Sequence, residues 1–455
     1  MAKLPVEFTE YTRQLMGDER FERYLQSFEE EPPVSIRLNP KKMNSQRHNL
    51  TKVREDGGWK FREDGEWKVE DAEPVPWCRN AYYLKSRPNF TFDPLFHAGC
   101  YYVQEAASMF LDELLRQVNH GDWNTDKSEP GDQGSPQAEC GTQSIPRDSL
   151  DLCAAPGGKS TLLRAALPED CVLYSNEPIR NRASILLENV TKWGYANHFV
   201  TNLYPEVYRK SKLCFDLILC DVPCSGEGMF RKDPATIGEW SPQQVEKCWR
   251  LQREIVDDAW ACLNPGGLLI YSTCTFNTKE NEENIRYFLE QYDAELVSVN
   301  IKPEWNITGS LLPGFNGPVY RFIPGLSRGE GLFICVLRKG SGSAVFTEKT
   351  ECSHAGNKRF PRREQSIPTL GTIPLHVDNP RAELSYAQAI AYLRGEALRL
   401  PEDTPRGEVT VTFQGFPLGL VKNIGSRANN LYPKEWRIRT THVPDTYQPV
   451  IEFRV

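Results

Sequence analysis

The sequence lacks the features that mark membrane proteins and secreted proteins. No apolar run reaches the roughly 18 residues that a membrane-spanning helix needs. The opening segment, MAKLPVEFTEYTRQLMG, has no apolar core of the kind found in secretory signal peptides. We therefore expect a cytoplasmic protein that does not enter a membrane.

The sequence also has no excess of basic residues. Its formal net charge is -7, whereas domains that bind nucleic acid usually carry a basic surplus. This balance does not exclude a nucleic-acid partner, because a local basic groove can form on an acidic protein. Hydrophobic residues make up 39% of the chain and charged residues 25%, which is enough to build the core of a globular protein.

Cysteine is present, but in no metal-binding or disulfide pattern. The 13 cysteines are odd in number and include no Cys-x-x-Cys pair, and no cysteines and histidines stand at zinc-ligand spacing. A long chain with an odd cysteine count is not a disulfide scaffold. We predict no metal site and expect most of the thiols to be buried and inert.

The 455 residues are too many for one ordinary domain, and composition divides them into segments. Residues 1–100 predict a short helical region followed by PPVSIRLNPKK, and residues 101–340 form the main body. Within that body, residues 117–148 are rich in Gly, Pro, Ser, Asp and Gln and predict a flexible insertion. Residues 341–370 predict a polar linker, and residues 371–455 predict a separate, smaller α+β domain.

The main body begins with a helical pattern and continues with alternating strands and helices. The segment YYVQEAASMFLDELLRQ, directly after Cys100, predicts one amphipathic helix. Five apolar strand segments follow, SLDLCA, CVLYSNE, HFVTN, FDLILCD and GLLIYSTC, and helical patterns alternate with them. This alternation predicts an α/β fold with a mostly parallel sheet covered on both faces. The segments VYRFIP and GLFICVL predict an antiparallel edge of that sheet.

The segment DLCAAPGGKS, residues 151–160, raises the first question about function. Its end resembles a phosphate-binding loop, whose pattern is Gly-x-x-x-x-Gly-Lys-Ser/Thr. Cys153 stands where that pattern needs its first glycine, and Pro156 stands where the backbone has to wrap phosphates. We therefore favour a glycine loop that lets the backbone approach a small cofactor, with a P-loop NTPase as the alternative.

Four further candidate residues lie where strands of the predicted sheet end, which is the edge at which α/β sheets bind ligands. Glu177 ends the second strand and is placed to accept hydrogen bonds from both ribose hydroxyls of an adenosine. Asp221 ends the fourth strand, and the stiff turn after it presents Cys224. The fifth strand presents Cys274 in a similar way. Because the fourth and fifth strands are expected to be neighbours, we predict that the two cysteines face one pocket.

The motifs DLCAAPGGKS, DVPCSGEGMFRKDP and YSTCTFNTKENEEN, in this order, resemble those of the Nop/Sun family of S-adenosylmethionine-dependent RNA cytosine-C5 methyltransferases. HAGCYYVQEAASM, RFIPGLSRGEGLFICVLRK and PPVSIRLNP match as well. The late segments VTFQGFPLGLVKNIG and NNLYPKEWRI are similar to the PUA-like RNA-binding domain of the bacterial 16S ribosomal RNA methyltransferase F group. The resemblance implies a Rossmann-like methyltransferase sheet in residues 101–340, an RNA-binding region in 1–100 and a PUA-like domain in 371–455.

The resemblance also implies a cofactor and a set of catalytic residues. The implied cofactor is S-adenosyl-L-methionine, held by Glu177, Asp221 and a loop made of Cys153, Ala154, Ala155, Pro156, Gly157, Gly158 and Lys159. Cys274 is the implied nucleophile toward C6 of cytosine, and Cys224 is implicated in release of the product. Asp221 is implied near N3 and the exocyclic amine of the base, where it can supply a hydrogen bond or a proton.

One position departs from the family pattern. Relatives often carry an acidic residue toward the adenine of the cofactor after the third strand, and Tyr204 stands at that position here. Asn202 is the substitute that the sequence offers for this contact.

Basic residues suggest where RNA is held. Arg231 and Lys232 follow the Cys224 turn and are expected to hold phosphates that flank the target base. A basic and aromatic RNA-binding face is expected from Lys422, Arg427, Tyr432, Lys434, Trp436, Arg437 and Arg439, with Arg37, Lys41 and Lys42 adding to it from the N-terminal region.

The expected partner is small-subunit ribosomal RNA or the assembling 30S subunit, bound by a monomeric enzyme. Two alternatives stay open: the same chemistry on transfer RNA, and an RNA-binding assembly factor whose catalysis is dispensable. Cys224 and Cys274 disfavour the assembly factor, because a protein that only binds RNA needs neither thiol.

Overall fold

The computed structural model describes residues 4–49, 52–55, 58–61, 66–69, 71–118, 146–341, 368–370, 379–440, 442–444 and 446–454. Most of the insertion predicted at 117–148 and most of the linker predicted at 341–370 lie outside these residues.

The helices of the described residues are α1 (Val6–Met16), α2 (Asp18–Gln26), α3 (Pro40–Asn49), α4 (Pro94–His97), α5 (Phe110–Val118), α6 (Gly158–Ala166), α7 (Arg180–Trp193), α8 (Pro205–Ser211), α9 (Ala235–Glu239), α10 (Pro242–Ala261), α11 (Glu282–Gln291) and α12 (Tyr386–Leu393). The strands are β1 (Val34–Leu38), β2 (Lys52–Glu55), β3 (Gly58–Phe61), β4 (Glu66–Lys68), β5 (Glu73–Pro74), β6 (Ala81–Leu84), β7 (Tyr101–Val103), β8 (Asp148–Asp151), β9 (Val172–Asn176), β10 (His198–Thr201), β11 (Phe215–Asp221), β12 (Leu263–Thr273), β13 (Ala294–Leu296), β14 (Tyr320–Phe322), β15 (Leu332–Lys339), β16 (Arg381–Glu383), β17 (Gly407–Phe413), β18 (Phe416–Asn423), β19 (Ala428–Asn430) and β20 (Glu452–Arg454).

Packing divides the chain into two compact units. The first unit consists of Met1–Pro33, Glu105–Leu186 and Asn197–Leu370, and the second of Val34–Gln104, Leu187–Ala196 and Gly371–Val455. The domain limits expected from the sequence follow one another along the chain, and they stay a prediction. Packing instead groups segments that are separated in the sequence into each unit.

The first unit is built on an eight-stranded sheet. Its strand order is β10-β9-β8-β11-β12-β15-β13, and β14 also pairs with β15. The strands β10, β9, β8, β11 and β12 run parallel, and β15 runs antiparallel to each strand that it pairs with. The predicted α/β fold with a mostly parallel sheet and an antiparallel edge is therefore confirmed, and β13 is a strand that the sequence pattern did not reveal.

Apolar strands and one long helix form the core beneath the site. The middle of β11 is buried, as expected for a strand covered on both faces. Ile255, Val256 and Trp260 of α10 join the same core cluster. The Ser241 side chain accepts the Gln244 N–H at the start of α10, so the predicted N-cap is confirmed.

The helix predicted directly after Cys100 begins later than expected. Tyr101–Val103 is strand β7, which pairs with β1 through Ile36 and Leu38. The helix α5 starts at Phe110. Two tyrosines and a valine favour strand backbone, and the available edge of β1 decides their conformation.

The second unit has an antiparallel sheet of order β5-β6-β1-β7 and a second four-stranded sheet of order β16-β17-β18-β19. Its core cluster includes Ile36 and Leu95 together with Tyr392 and Val411 from the C-terminal segment. The helix α12 begins with a capping box between Ser385 and Gln388. The mixture of helix and strands at the C-terminal end agrees with the α+β content expected there.

Candidate active site

The predicted site residues lie along one edge of the sheet of the first unit, at the carboxyl ends of four strands. The strand β8 leads into the glycine loop, and β9 ends just before Glu177. The strand β11 ends at Asp221, and β12 ends one residue before Cys274. The strand order reverses between β8 and β11, which is the position where open α/β sheets bind ligands.

The glycine loop, Cys153–Lys159, connects β8 to α6. Gly157 has a φ of 114°, a left-handed backbone conformation that favours glycine, and α6 begins at the next residue. The Ala154 N–H donates to the Asn176 carbonyl at 2.8 Å, which holds the loop against the end of β9. Burial raises the pKa of the Cys153 thiol well above its ordinary value. Cys153 is therefore a protonated, packed thiol.

Glu177 is buried beside this loop and has an unused acceptor. Its side chain is 1% exposed, and Oε1 accepts the Ile179 N–H at 3.0 Å. Oε2 lies 3.4 Å from the Arg182 guanidinium and accepts no hydrogen bond from the part of the chain that the structure describes. Arg182 also donates to the Ala155 carbonyl at 3.0 Å. A buried carboxylate oxygen without a donor is a position that a ligand hydroxyl would satisfy.

The two residues expected toward the adenine differ in their surroundings. The Asn202 amide nitrogen donates to the carbonyls of Glu177 and Pro178, at 2.7 and 2.9 Å, and so it holds the turn after β9. Tyr204 is 69% exposed and directly precedes α8. Asn202 is thus committed to the backbone, while Tyr204 presents its ring to solvent.

Asp221 is held by a donor on each oxygen. The Lys159 Nζ lies 2.9 Å from Oδ2, and the Ser272 hydroxyl donates to Oδ1 at 2.6 Å. Burial lowers the pKa of Lys159, but the attraction to Asp221 and to Cys274 outweighs it and leaves that pKa raised. The lysine that resembled a phosphate ligand is therefore a cation paired with the carboxylate at the end of β11.

Cys224 and Cys274 lie side by side. Their Sγ atoms are 3.2 Å apart, and the Cys274 N–H donates to the Cys224 Sγ at 3.3 Å. Both are free thiols. The hydrogen bond to Cys274 and burial raise the pKa of the Cys224 thiol well above its ordinary value. Cys224 is therefore a protonated thiol.

A buried polar cluster that the sequence reasoning missed lies behind the two thiols. Glu227 Oε2 accepts the N–H groups of Phe276 and Asn277 at 2.7 and 2.9 Å. Glu280 Oε2 accepts the Ser225 N–H at 3.1 Å. The Asn277 amide donates to both carboxylates, at 3.1 Å to Glu227 and 2.8 Å to Glu280. We call Glu227, Asn277 and Glu280 the carboxylate clamp.

The signal for this cluster was present in the sequence. Asn, Thr and Glu crowd together in TFNTKENEEN directly after an apolar strand. Such residues satisfy backbone groups in tight turns, and a run of them beside a buried strand indicates an internally bonded turn.

One predicted phosphate contact in the first unit is wrong. The Arg231 guanidinium donates to both oxygens of Glu330, the shortest of these bonds being 2.6 Å, and to the Ser27 carbonyl at 3.2 Å. The side chains of Arg231 and Glu330 are 6% and 3% exposed. Arg231 is therefore a buried structural residue, whereas the neighbouring Lys232 is exposed as expected.

The N-terminal basic residues expected to contact RNA are also largely structural. Arg37 is buried in the second unit, where its Nε donates to Gln104 at 2.9 Å and its guanidinium lies 4.6 Å from the Trp193 ring. Lys42 donates to backbone carbonyls, and burial lowers its pKa to about 8. Of these three residues, Lys41 alone keeps an exposed side chain.

The C-terminal basic residues mostly remain at the surface. Lys422, Arg427, Lys434 and Arg439 are exposed. Tyr432 is buried in the core of the second unit and does not belong to a surface face.

The described ranges hold neither a cluster of metal ligands nor a membrane-spanning helix. Those residues contain no group of three or more His, Cys, Asp or Glu side chains that could hold a metal ion. They also contain no helix that is both long and apolar enough to cross a membrane.

Family models match three parts of the chain. The model described as 16S rRNA methyltransferase RsmB/F matches residues 145–338, which contain all the site residues of the sheet edge. The model for the N-terminal domain of 16S rRNA methyltransferase RsmF matches residues 4–106, and that for the methyltransferase RsmF PUA domain matches residues 379–438.

Curated proteins and solved structures agree with these matches. The solved methyltransferase homolog protein from Pyrococcus horikoshii is 26% identical with a TM-score of 0.52, covering 73% of this chain and 94% of that one. The structure of NSun6 from Pyrococcus horikoshii with SFG, at 18% identity and a TM-score of 0.52, covers 74% of this chain and 99% of that one and shows a common fold. The ribosomal RNA small subunit methyltransferase F of Erwinia tasmaniensis is 27% identical, over 95% of this chain and 96% of that protein. The protein of the same name from Cronobacter sakazakii is 30% identical, over 80% of this chain and 84% of that protein. The chain therefore belongs to the 16S rRNA methyltransferase RsmB/F family.

Proposed function

We propose that this protein transfers a methyl group from S-adenosylmethionine to C5 of a cytidine in 16S ribosomal RNA. The observation that carries the proposal is the pair of thiols at Cys224 and Cys274, whose sulfurs lie 3.2 Å apart. C5 of cytosine is a poor nucleophile until a thiolate adds to C6. The reaction needs one thiol that adds to C6 and a second thiol that assists release of the product. A protein that only binds RNA needs neither thiol.

The residues at the sheet edge fit the methyl donor. Glu177 offers a buried acceptor, Oε2, of the kind that a ribose hydroxyl satisfies. The left-handed backbone at Gly157 lets the loop Cys153–Lys159 approach a ligand closely. We assign cofactor binding to this loop, Glu177 and Asp221. S-adenosylmethionine, when bound, supplies an electrophilic methyl group.

Cys274 acts as the nucleophile in this proposal. Its thiol proton passes to solvent, and its sulfur forms a bond to C6 of the base while the electrons of the C5–C6 double bond move onto C5. C5 would then bond to the methyl group that the bound cofactor supplies, leaving S-adenosylhomocysteine. The Lys159 ammonium interacts electrostatically with Cys274 and so contributes positive charge to the site. Because C6 is covered in a stacked base, the substrate is a single-stranded or flipped cytidine.

Asp221 orients the base. Both of its oxygens already accept a hydrogen bond, from Ser272 and from Lys159. A carboxylate held by two donors is suited to accept a further hydrogen bond from the exocyclic amine of cytosine. The alternative in which Asp221 itself donates a proton fits this arrangement less well.

Cys224 assists release of the product. Cys224 keeps its proton in the resting site, because its hydrogen bond to Cys274 and burial raise its pKa. Once Cys274 has become a thioether, that hydrogen bond is gone and the Cys224 thiol can release its proton to solvent. Cys224 can then take the proton from C5, and the C6–sulfur bond breaks to restore Cys274.

The remaining parts of the chain are assigned to the RNA. We propose that residues 1–100 and the PUA-like segment 371–455 bind RNA, that 101–340 catalyse, and that 341–370 link them. The exposed cations Lys422, Arg427, Lys434 and Arg439 support an RNA contact. We propose a monomer in the cytoplasm that acts on ribosomal RNA or on the assembling 30S subunit, because the relatives are named for the small subunit.

Two measurements test the proposed function. Bisulfite sequencing of total RNA, with and without the protein, should show one 5-methylcytosine missing from 16S ribosomal RNA. A mark missing from transfer RNA instead would assign the substrate differently.

The second measurement is a denaturing gel with labelled RNA and two variants. Cys224→Ala should accumulate a covalent protein–RNA adduct, and Cys274→Ala should abolish methylation without an adduct. An adduct with Cys274→Ala and none with Cys224→Ala would reverse the two roles.

A further inference from the structure

The turns that carry the two cysteines are bonded to each other in a reciprocal way. Glu227 follows Cys224 in the chain, and it accepts backbone N–H groups of Phe276 and Asn277 in the Cys274 turn. Glu280 follows Cys274, and it accepts the Ser225 backbone N–H in the Cys224 turn at 3.1 Å. Each turn therefore supplies a carboxylate that satisfies the backbone of the other turn.

Further contacts make this arrangement rigid. Glu227 and Glu280 are 1% and 0% exposed, so their hydrogen bonds do not compete with water. The Asn277 amide bridges both carboxylates. Gln252 of α10 donates to Glu280 at 2.6 Å and to the Pro223 carbonyl at 2.9 Å, which joins both turns to the helix.

We propose that the carboxylate clamp is the positioning device of the two-thiol site, with Glu280 as its key residue, and that it sets the distance between the Cys224 and Cys274 sulfurs. The effect of the clamp on catalysis rests on the proposed function. In that function, product release needs both sulfurs, whereas adduct formation needs only Cys274. Loss of the clamp therefore slows release more than it slows attack.

The role of Glu280 can be tested by a substitution that keeps the shape of the side chain. Its two oxygens accept from three donors, which are the Ser225 N–H, the Gln252 amide and the Asn277 amide. In Glu280→Gln one oxygen becomes an NH₂ group, which faces donors and accepts from none of them. At least one hydrogen bond of the clamp is lost without removing side-chain volume.

The first experiment measures the sulfur spacing without any RNA. Diamide oxidises two neighbouring thiols to a disulfide while its N=N bond is reduced to a hydrazine, so the rate of the Cys224–Cys274 disulfide reports how close the sulfurs lie. The disulfide is quantified by mass spectrometry of the digested full-length protein. We expect Glu280→Gln to slow its formation about tenfold, since displacements of ~1 Å cost reactions one to two orders of magnitude. A rate within twofold of wild type overturns the proposal.

The matched control is Glu283→Gln. Glu283 lies three residues further along the chain, and its carboxylate accepts the Thr278 hydroxyl at 3.1 Å. It makes no hydrogen bond to the Cys224 turn in the described structure. We expect its disulfide rate to equal that of wild type, and an equal slowing in both variants also overturns the proposal.

The second experiment uses the RNA substrate. With 16S ribosomal RNA, Glu280→Gln should lower kcat about tenfold, leave KM for RNA within twofold, and accumulate covalent adduct. An unchanged kcat overturns the proposal. If Cys224→Ala traps no adduct while Glu280→Gln still slows disulfide formation, the clamp stands and the proposed function fails.

A second variant covers the case in which Glu280→Gln does not fold, as judged by loss of a cooperative thermal transition. Gln252→Met removes the donor that Glu280 shares with the Pro223 carbonyl and leaves both glutamates in place. We expect it to slow disulfide formation at least threefold, in the same direction as the charge change at Glu280. A wild-type rate in this folded variant overturns the proposal.

Discussion

Gly228 is a position where adding one methyl group should disturb the site directly. The N–H of Gly228 donates to the Cys274 carbonyl at 2.7 Å. A Cβ at this position would lie 2.6 Å from the Gly331 Cα and 2.7 Å from the Cys274 oxygen, whereas ordinary contact begins at 3.4 Å. The added Cβ would thus be 0.8 Å too close to the Gly331 Cα, which is 3.4 less 2.6 Å. Because the atoms that it meets belong to the backbone, the chain segments that carry them have to move apart.

The cost of Gly228→Ala follows from this overlap. Forcing an extra carbon into a packed interior costs about 1–3 kcal/mol of unfolding free energy. We expect thermal unfolding several degrees lower than in wild type, because each kcal/mol shifts Tm by about 2–4 °C in domains of this size. A shift of nearly 1 Å at the Cys274 turn should also lower methyl transfer by roughly one hundredfold.

The control for Gly228→Ala is Gly238→Ala in α9. Gly238 has no atom within 4 Å of an added Cβ and an ordinary helical backbone. That substitution should be neutral or add up to about 1 kcal/mol, because alanine favours helix over glycine. The two variants are compared by calorimetry and by incorporation of labelled methyl into 16S ribosomal RNA. Wild-type Tm and activity in Gly228→Ala, or equal losses in both variants, would refute the steric argument.

Three further predictions concern buried charges of the first unit. Glu177→Ala should weaken binding of S-adenosylhomocysteine by about 1.5–3 kcal/mol in titration calorimetry, because it removes a charged acceptor, while the exposed Glu206→Ala should change it little. Burial raises the pKa of Glu280 from 4.5 to about 7, so the folded protein holds a proton that the unfolded chain releases. The contribution of Glu280 to the unfolding free energy should therefore be full below pH 4.5 and should fall as the pH rises to 7. Urea titrations at several pH values should show that Glu280→Gln lacks this pH-dependent part of the stability. Arg321→Met should cost about 3–5 kcal/mol, since it leaves Glu282 buried without its cation, and adding Glu282→Gln should restore part of the loss.

The strands and the order of the site motifs were predictable from the sequence because both depend on local patterns. Apolar segments of strand length, alternating with helices, indicated the parallel sheet that the structure has. The strand at Tyr101–Val103 was not predictable in this way, because its pairing with β1 joins segments that are far apart in the chain. The sequence also misjudged Arg231, since the Glu330 that neutralises it lies 99 residues away.

The chemical groups at the ends of the strands, a glycine loop, Glu177, Asp221 and two cysteines, can be identified from the order of the amino acids alone. Spacing along the chain and the rule that parallel strands end at one edge are sufficient for that. The coupling between these groups depends on the three-dimensional fold. The pairing of Lys159 with Asp221, the 3.2 Å between the sulfurs and the bonds of both clamp carboxylates to the opposite turn all join residues from different loops. Such contacts depend on the register of neighbouring strands and on burial that excludes water, and neither quantity is encoded in a local pattern.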